Sequence, residues 1–580
     1  MTMLNFKNDF EKEIYALGDE PRIFVDYDPE VRLVKRYRGK NGYCSKLSDC
    51  TVHEIRASFY FANQLLTRDS EGYRQIAHDV LYRALPLQDI NPARRTYGIW
   101  PYYLEESLEE MDVPDMNWAD FIGEALLLML KDHSDKLTDD LKMRMKDAVM
   151  HACRCIIKRN VGPEYSNISI MGAFVTMFAG ELFDIPEFFE YGKKRLARLH
   201  EYNVSNGDFR EFNSPTYTFI CIEEFTRVVE YIKDEECRRL AAELNDLAWR
   251  SIALHYHPTT GQLAGPHDRA YGPFIGQIER YKIERANDYR VCITDHEDIR
   301  RRARFFNIFS LNVSCPEKYT KYFETVDGER ILDNTFAPGR MAYTYMNKSL
   351  TLGSLHAEMA WNQHRNVLGY FGTVERPVSL TIRSQKNDWD YCASYMSTVQ
   401  DKGRALTTTT FTSDGFDTHC CLDPIKGGRI TASDIRVRYV FEGAIDSLDV
   451  TEDGDTFVIT HKESNVKVKI SYPLAEFNGE KVRLEVRREE KLLSVDAVLY
   501  SGEEREFILA DLKRSFAVST VEMTDGELSA DKATAEIKDG RIVSVYGNLK
   551  SSITDSVTPH RKVFDTLYLE RDGKEYKPAF

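Results

Sequence analysis

Tyr165-Ser-Asn-Ile-Ser-Ile-Met-Gly-Ala-Phe-Val-Thr-Met-Phe-Ala-Gly-Glu-Leu-Phe183 reads as a helix: a polar mouth carrying Asn167 opens an apolar run of helical period from Ile168 onward. The same three-and-four spacing recurs at 52–66, 73–85, 118–130, 137–157, 185–200, 217–232 and 237–255. Starts are marked by Ser48, Asp49, Asp69, Ser70, Asp115, Asn167 and Pro186, and a glycine ends or follows some of the runs. Helices of ordinary length joined by short loops make an antiparallel array. Without a strict repeat period, the pattern favours an (α/α) toroid, incomplete or six-hairpin, over a regular solenoid.

The period changes from about residue 330. Alternation takes over at 378–384, 391–398, 405–412, 430–441, 456–461, 466–471, 482–489, 491–500, 506–511, 533–537 and 541–546, with Asp-Gly turns at 453–454 and 539–540. Helices in a first block and strands in a second predict an α+β protein of separate layers, not a parallel α/β sheet. The expected organisation is a toroid at 1–257, a linker and interface segment at 258–330, and an antiparallel β-sandwich at 331–580.

Composition narrows the function classes. The 580 residues exceed one compact core, and 42% hydrophobic with 29% charged residues fits a folded globule. A net charge of −15 argues against nucleic acid or an anionic membrane as partner, since both require a basic footprint. The N-terminal stretch is acidic where a signal peptide has an apolar core, and no stretch reads as a membrane span, so a cytoplasmic location is expected. Eleven cysteines without a framework, with Cys153/Cys155 and Cys420/Cys421 closely paired, read as free thiols. Homo-oligomerisation is compatible with all of this.

Asn167 and Tyr217, the second in Glu211-Phe-Asn-Ser-Pro-Thr-Tyr217, place an amide and a phenol at two helix mouths. Each has an ordinary structural reading: Asn167 as a helix cap, Tyr217 as a packed ring with its hydroxyl on a loop. Together they suit proton abstraction beside a carboxylate. The enolate formed there would carry two negative charges, so donors on the carboxylate oxygens lower its cost. A phenol works as base near neutrality only with cations beside it, which predicts arginine near Tyr217.

Two further clusters stand out. His255-Tyr-His257 and His267-Asp-Arg269-Ala-Tyr271 match no zinc spacing, so no metal or other cofactor is expected. Arg269 suits a bidentate carboxylate contact, Tyr271 a sugar face and His267 a substrate contact, against the alternative of a buried polar network. In Ser354-Leu-His356-Ala-Glu358-Met-Ala-Trp361-Asn-Gln-His364-Arg365, strand alternation sends His356, Glu358 and Ala360 to one face, with His364 returning to it, and Trp361, Gln363 and Arg365 to the other. Trp118, next to Asn117 and Asp120, reads either as a sugar platform or as core.

The order toroid then sandwich, with Asn167 and Tyr217 at helix mouths and a histidine in the second half, resembles the heparinase II/III-type and alginate-lyase-type polysaccharide lyases. The resemblance covers most of the chain in architecture but few positions in motif. It implies that Asn167 neutralises a uronate carboxylate, Tyr217 shuttles the proton and His364, with His356 second, closes from the sandwich. The implied substrate is an acidic oligosaccharide, contacted also by Arg269, His267, Tyr271, Trp118, Glu211, His356 and Arg365. Asn-Ile stands here where many relatives have Asn-His or His, leaving the amide to act alone or with help. The rival reading is an inverting glycoside hydrolase using two of Asp120, Asp208, Glu211 and Asp268. A non-catalytic carbohydrate-binding protein is the third.

Overall fold

The computed structural model describes residues 4–39, 44–303, 308–415, 425 and 427–578. The stretch 417–421, read above as strand-like and containing Cys420 and Cys421, lies outside the described residues. Eight long helices stand where the period places them: Ile55–Arg68, Tyr73–Ala84, Trp118–Asp132, Asp139–Arg159, Ser166–Phe183, Pro186–Asn206, Tyr217–Tyr231 and Glu235–His255. Local chemistry fixes their ends. The Thr138 and Asp234 side chains accept from the backbone N–H groups of Leu141 and Cys237, Pro186 opens its helix, and Gly207 closes the same helix at φ 76°.

Consecutive helices pair as four hairpins among the described residues, and the first member of each hairpin packs on the first member of the next. Helices Ile55–Arg68, Trp118–Asp132, Ser166–Phe183 and Tyr217–Tyr231 thus form the inner row of an incomplete toroid. That position explains why Ser166–Phe183 is buried at every residue from Ser166 to Gly180. By length and composition it is also apolar enough to cross a membrane, contrary to the expectation from sequence. Here 83% of it is enclosed by the protein, which is the other use of a helix apolar all round.

The first block is not purely helical. Tyr27–Asp28, Leu33–Arg38 and Cys50–Glu54 form a three-stranded antiparallel sheet. The helix expected from 52 therefore begins at Ile55, because Val52 is spent pairing with Arg36.

The second block is a sandwich of a nine-stranded and an eight-stranded antiparallel sheet sharing one core. A five-stranded sheet spanning Thr534–Tyr576 covers the outer face of the smaller one, with Ile542, Tyr546 and Leu549 against Tyr395, Val399 and Leu406. Strands covered on both faces, such as Phe516–Thr524, are buried almost throughout, whereas Arg541–Tyr546 keeps strict alternation. Two sequence readings change. Residues 506–508 are the end of one long strand, Leu493–Ile508, still paired with Arg429–Thr431, and only Leu509–Asp511 turns. The strand expected through 354–366 breaks at His356, where the chain passes from Leu350–Leu355 in the larger sheet to Ala357–Met359 in the smaller. Residues 360–366 are irregular, so the alternation that assigned faces to His364 and Arg365 does not apply there.

Residues 258–330 are more than a linker. Ile275, Ile283, Ala286, Val291, Cys315, Tyr319 and Phe323 join the core of the helical half, and Tyr281, Ile299, Ala303 and Phe309 close a smaller cluster over Ile14. Several parts of the segment also meet the sandwich, as at Thr259 against Lys348 and Phe274 against Tyr370, and 264–271 runs along the seam beside the first strands. There Gly265 lies against strand Leu350–Leu355 so closely that a Cβ on Gly353 would fall 1.8 Å from the Gly265 carbonyl oxygen. Beside it, Phe212 stacks on Phe336 at 4.6 Å, tying a toroid loop to the first strand of the sandwich.

Candidate active site

The loop 208–216 between two toroid helices, the seam segment 264–271 and the irregular stretch 360–366 of the sandwich meet in one place. Backbone bonds lock them: Asp268 N–H donates to Phe212 O (3.1 Å), Ala270 N–H to Gln363 O (2.7 Å), and Arg365 N–H to His267 O (2.9 Å). The Asn213 side chain, on a residue at φ 47°, donates to the carbonyls of Ala264 and Pro266 at 2.6 and 2.9 Å. Ser214 Oγ accepts from the Tyr217 N–H, so the Asn-Ser-Pro lead-in is an anchored loop and the helix begins only at Tyr217.

These segments line a cleft of about 370 Å³ whose walls include Tyr165, Arg210, Glu211, Asp268, Arg269, Arg340, Glu358, Trp361 and His364. Glu211 is its hub. The Asn167 backbone N–H and side-chain Nδ2 both donate to Glu211 Oε2, at 3.0 and 2.6 Å, while Arg269 Nη1 stands 3.2 Å from Oε1. Arg269 continues the chain: Nη2 donates to the Tyr217 hydroxyl (3.1 Å) and Nε to Gln363 Oε1 (2.8 Å), with the guanidinium among the rings of Tyr217, Trp361 and Tyr165. The Tyr217 and Tyr271 hydroxyls share a hydrogen bond of 2.5 Å. In the same cleft, His364 Nε2 lies 3.7 Å from Asp268 Oδ1, its Nδ1 lies 3.1 Å from Met359 O, and Trp361 meets its ring edge-on. Arg210 pairs with Asp268, and Arg340 with Glu358.

The electrostatics separate the carboxyl groups. Burial raises the pKa of Glu211, against the pull of Arg269 and the Asn167 donors. Burial would also raise Glu358, but Arg340, His364 and Arg210 hold it down at about 2. Burial pushes the Tyr217 phenol well up, and the charge of Arg269 is the largest influence in the other direction. The phenol therefore carries its proton.

Of the residues singled out from sequence, Glu211, Arg269 and His364 form the cleft wall, Asn167 and Tyr217 stand one hydrogen bond behind it, and Tyr271, exposed, is reached only through the Tyr217 hydroxyl. Asn167 is the second residue of its helix, not the cap, and spends its amide on Glu211. The other four lie elsewhere. Trp118 packs on Tyr102 (4.3 Å) and under Arg56, as core. The ring of His267 is fully buried, its pKa driven down to about 3 by burial. His356 stacks on Tyr576 at 4.9 Å. Arg365 donates to the carbonyls of Asn362 and His364, both at 2.8 Å. Among the rival acids, Asp268 joins Glu211 in the cleft, but Asp120 is buried near Arg195 and Asp208 is held by Ser251. Sequence reasoning missed Arg210 and Arg340. Arg210 had a signal, as a cation adjoining Glu211 in a short polar loop, whereas Arg340, at a strand start, had none.

Residues 31–280 match the family described as Domain of unknown function (DUF8769). No curated protein matches the chain. Among solved structures, the chain is similar to heparinase III, with 10% identity and a TM-score of 0.43 over 96% of this chain and 92% of that one. It is also similar to the chondroitin AC lyase of Streptomyces coelicolor A3 in complex with chondroitin sulphate, with 10% identity and a TM-score of 0.45 over 94% and 85%.

Proposed function

We propose that this chain is a carbohydrate-active lyase that cleaves uronate-containing oligosaccharides by β-elimination in the Glu211 cleft. The observation that carries the reading is the unbroken path of contacts from the Asn167 amide through Glu211 and Arg269 to the Tyr217 hydroxyl, with His364 lining the same cleft. A uronate carboxylate entering the cleft exchanges with the Glu211 carboxyl for the Asn167 and Arg269 donors. Such donors, already in place, stabilise the developing enolate by about 3–4 kcal/mol each. Elimination takes the proton from the carbon next to the carboxylate, breaks the bond to the leaving oxygen and returns a proton to that oxygen. Arg269 lowers the cost of a Tyr217 phenolate, and Tyr217 is positioned to carry the proton between the two sites. The proposed setting is the cytoplasm, where cysteine thiols stay reduced. Incubation with a panel of uronate oligosaccharides, reading ultraviolet absorbance and product mass together, tests the proposal: unsaturated products without added water support it, and saturated products overturn it.

One observation favours a second reading, an inverting hydrolase. Glu211 is pushed toward its neutral form while Glu358 is held ionised, and such a split between neighbouring carboxyl groups is what a general acid and a general base require. Solvent-oxygen incorporation into the product separates the two.

A further inference from the structure

Away from the Glu211 cleft, a second cleft of about 730 Å³ opens where helix Gln277–Ala286 and residues 290–295 meet residues 374–377 of the sandwich. Arg280 lines it and is only 5% exposed. Among the described residues it forms no ion pair. Its Nε has no partner, and its Nη1 makes a long 3.5 Å approach to Val374 O. The guanidinium lies against the turn at Gly261, where a Cβ would come within 3.2 Å of it, so it has little room to swing away. One turn further along the same helix the contrast is plain: Arg285 is as deeply buried but has Glu11 at 3.0 Å. Burial lowers the Arg280 pKa, outweighing the pull of Tyr256 and of the Glu375 carboxylate, which lines the cleft without reaching ion-pair distance. Thr294, on the same cleft wall, has a buried hydroxyl with no partner among the described residues.

An unpaired buried charge and an unsatisfied buried hydroxyl are both costly, and native proteins fill such positions with water, an ion or a ligand group. Water satisfies the donors but not the charge. Arg290, half-exposed and paired with Glu317 at 3.0 Å, stands on the cleft wall, with apolar Val291, Phe323 and Pro377 and the carboxylates of Asp295, Glu324 and Glu375 completing it, so Arg280 is the buried cation there that no carboxylate pairs among the described residues. We propose that this cleft is an oxyanion site, separate from the active site, in which a carboxylate or phosphate group of a small organic acid seats on Arg280 and takes a second hydrogen bond from Thr294. Bound there, the anion would clamp the Gln277–Ala286 helix to the sandwich.

Cys292 lines the same cleft and is exposed, so its alkylation reports occupancy without any assay of turnover. The experiment measures the Cys292 alkylation rate by peptide mass spectrometry, with the thermal midpoint alongside, for the full chain in inorganic phosphate, inorganic sulfate, glucuronate or chloride of matched ionic strength. The expected result is slower alkylation and a higher midpoint in at least one oxyanion, and the arm that protects identifies the group. Arg280→Met should weaken that protection by about tenfold or more, the loss of a charge-assisted hydrogen bond. Should Arg280→Met fail to fold, Thr294→Val decides, with a smaller loss expected. Equal alkylation in all four solutions, or protection unchanged in the variant that folds, overturns the proposal and leaves the cleft to water.

Discussion

Asn167 and Arg269 hold opposite oxygens of one carboxyl group: the Asn167 amide donates to Glu211 Oε2 at 2.6 Å, and the Arg269 guanidinium stands 3.2 Å from Oε1. One comes from an inner helix of the toroid and the other from the seam segment, so the carboxyl group sits where two parts of the fold must agree in position. Under the proposed elimination, a substrate carboxylate takes these same two donors.

Tyr217→Phe should abolish turnover of uronate oligosaccharides while leaving the fold nearly intact. The ring keeps its packing, and the lost hydroxyl removes bonds to Tyr271 and Arg269 at a cost of about 1 kcal/mol. Because burial keeps this phenol protonated, wild-type kcat should climb as pH rises into the alkaline range. Steady-state rates over pH, with thermal melts of both proteins, make the check; retained activity removes Tyr217 from the chemistry.

Asn167→Ala should slow the chemical step by about 10²–10³, the usual consequence of losing one oxyanion donor. It also leaves Glu211 Oε2 with only the backbone N–H, a stability cost of about 1–3 kcal/mol. Single-turnover rates and denaturant melts separate the two. A stability loss alone would make Asn167 a support for Glu211 and nothing more.

Glu211→Gln distinguishes elimination from hydrolysis. A general acid contributes about 10²–10⁴, so the hydrolase reading predicts near-complete inactivation, whereas the lyase reading predicts surviving chemistry with altered substrate binding. Wild-type reaction in heavy-oxygen water completes the test, since only hydrolysis puts the label into product.

Asp120 gives a stability prediction independent of function. Burial lifts its pKa from 3.8 to about 7 in the folded chain, against the pull of Arg195 and Arg159. The folded state then binds a proton that the unfolded state has already released, so stability is fully present below pH 3.8 and falls as pH rises through about 7, by at most about 4 kcal/mol. Asp120→Asn should flatten that decline and be the more stable protein at about pH 8, read from denaturant midpoints. Parallel pH profiles for the two proteins would show that Asp120 does not carry the effect.

The sequence by itself determined the two layers and nearly every long helix, because apolar period and helix caps are local properties of the chain. It also marked Asn167, Glu211, Tyr217, Arg269 and His364, since polar groups at helix mouths and in loops stand out against apolar runs. Only the tertiary structure decided which of them meet. The Asn167–Glu211 bond spans 44 residues, and the Arg269–Tyr217 bond 52. Pairing over such separations depends on how the loops are stacked, which no local pattern records. Arg340 shows the limit most clearly: it is one arginine among many in sequence, and becomes part of the cleft only because strand Arg340–Met346 begins beside Glu358. His356 shows the converse, a histidine in a plausible strand that ends up stacked on Tyr576 because the chain changes sheets at that residue. Local periodicity sets what each segment is, and the burial shared between distant segments sets where its side chains work.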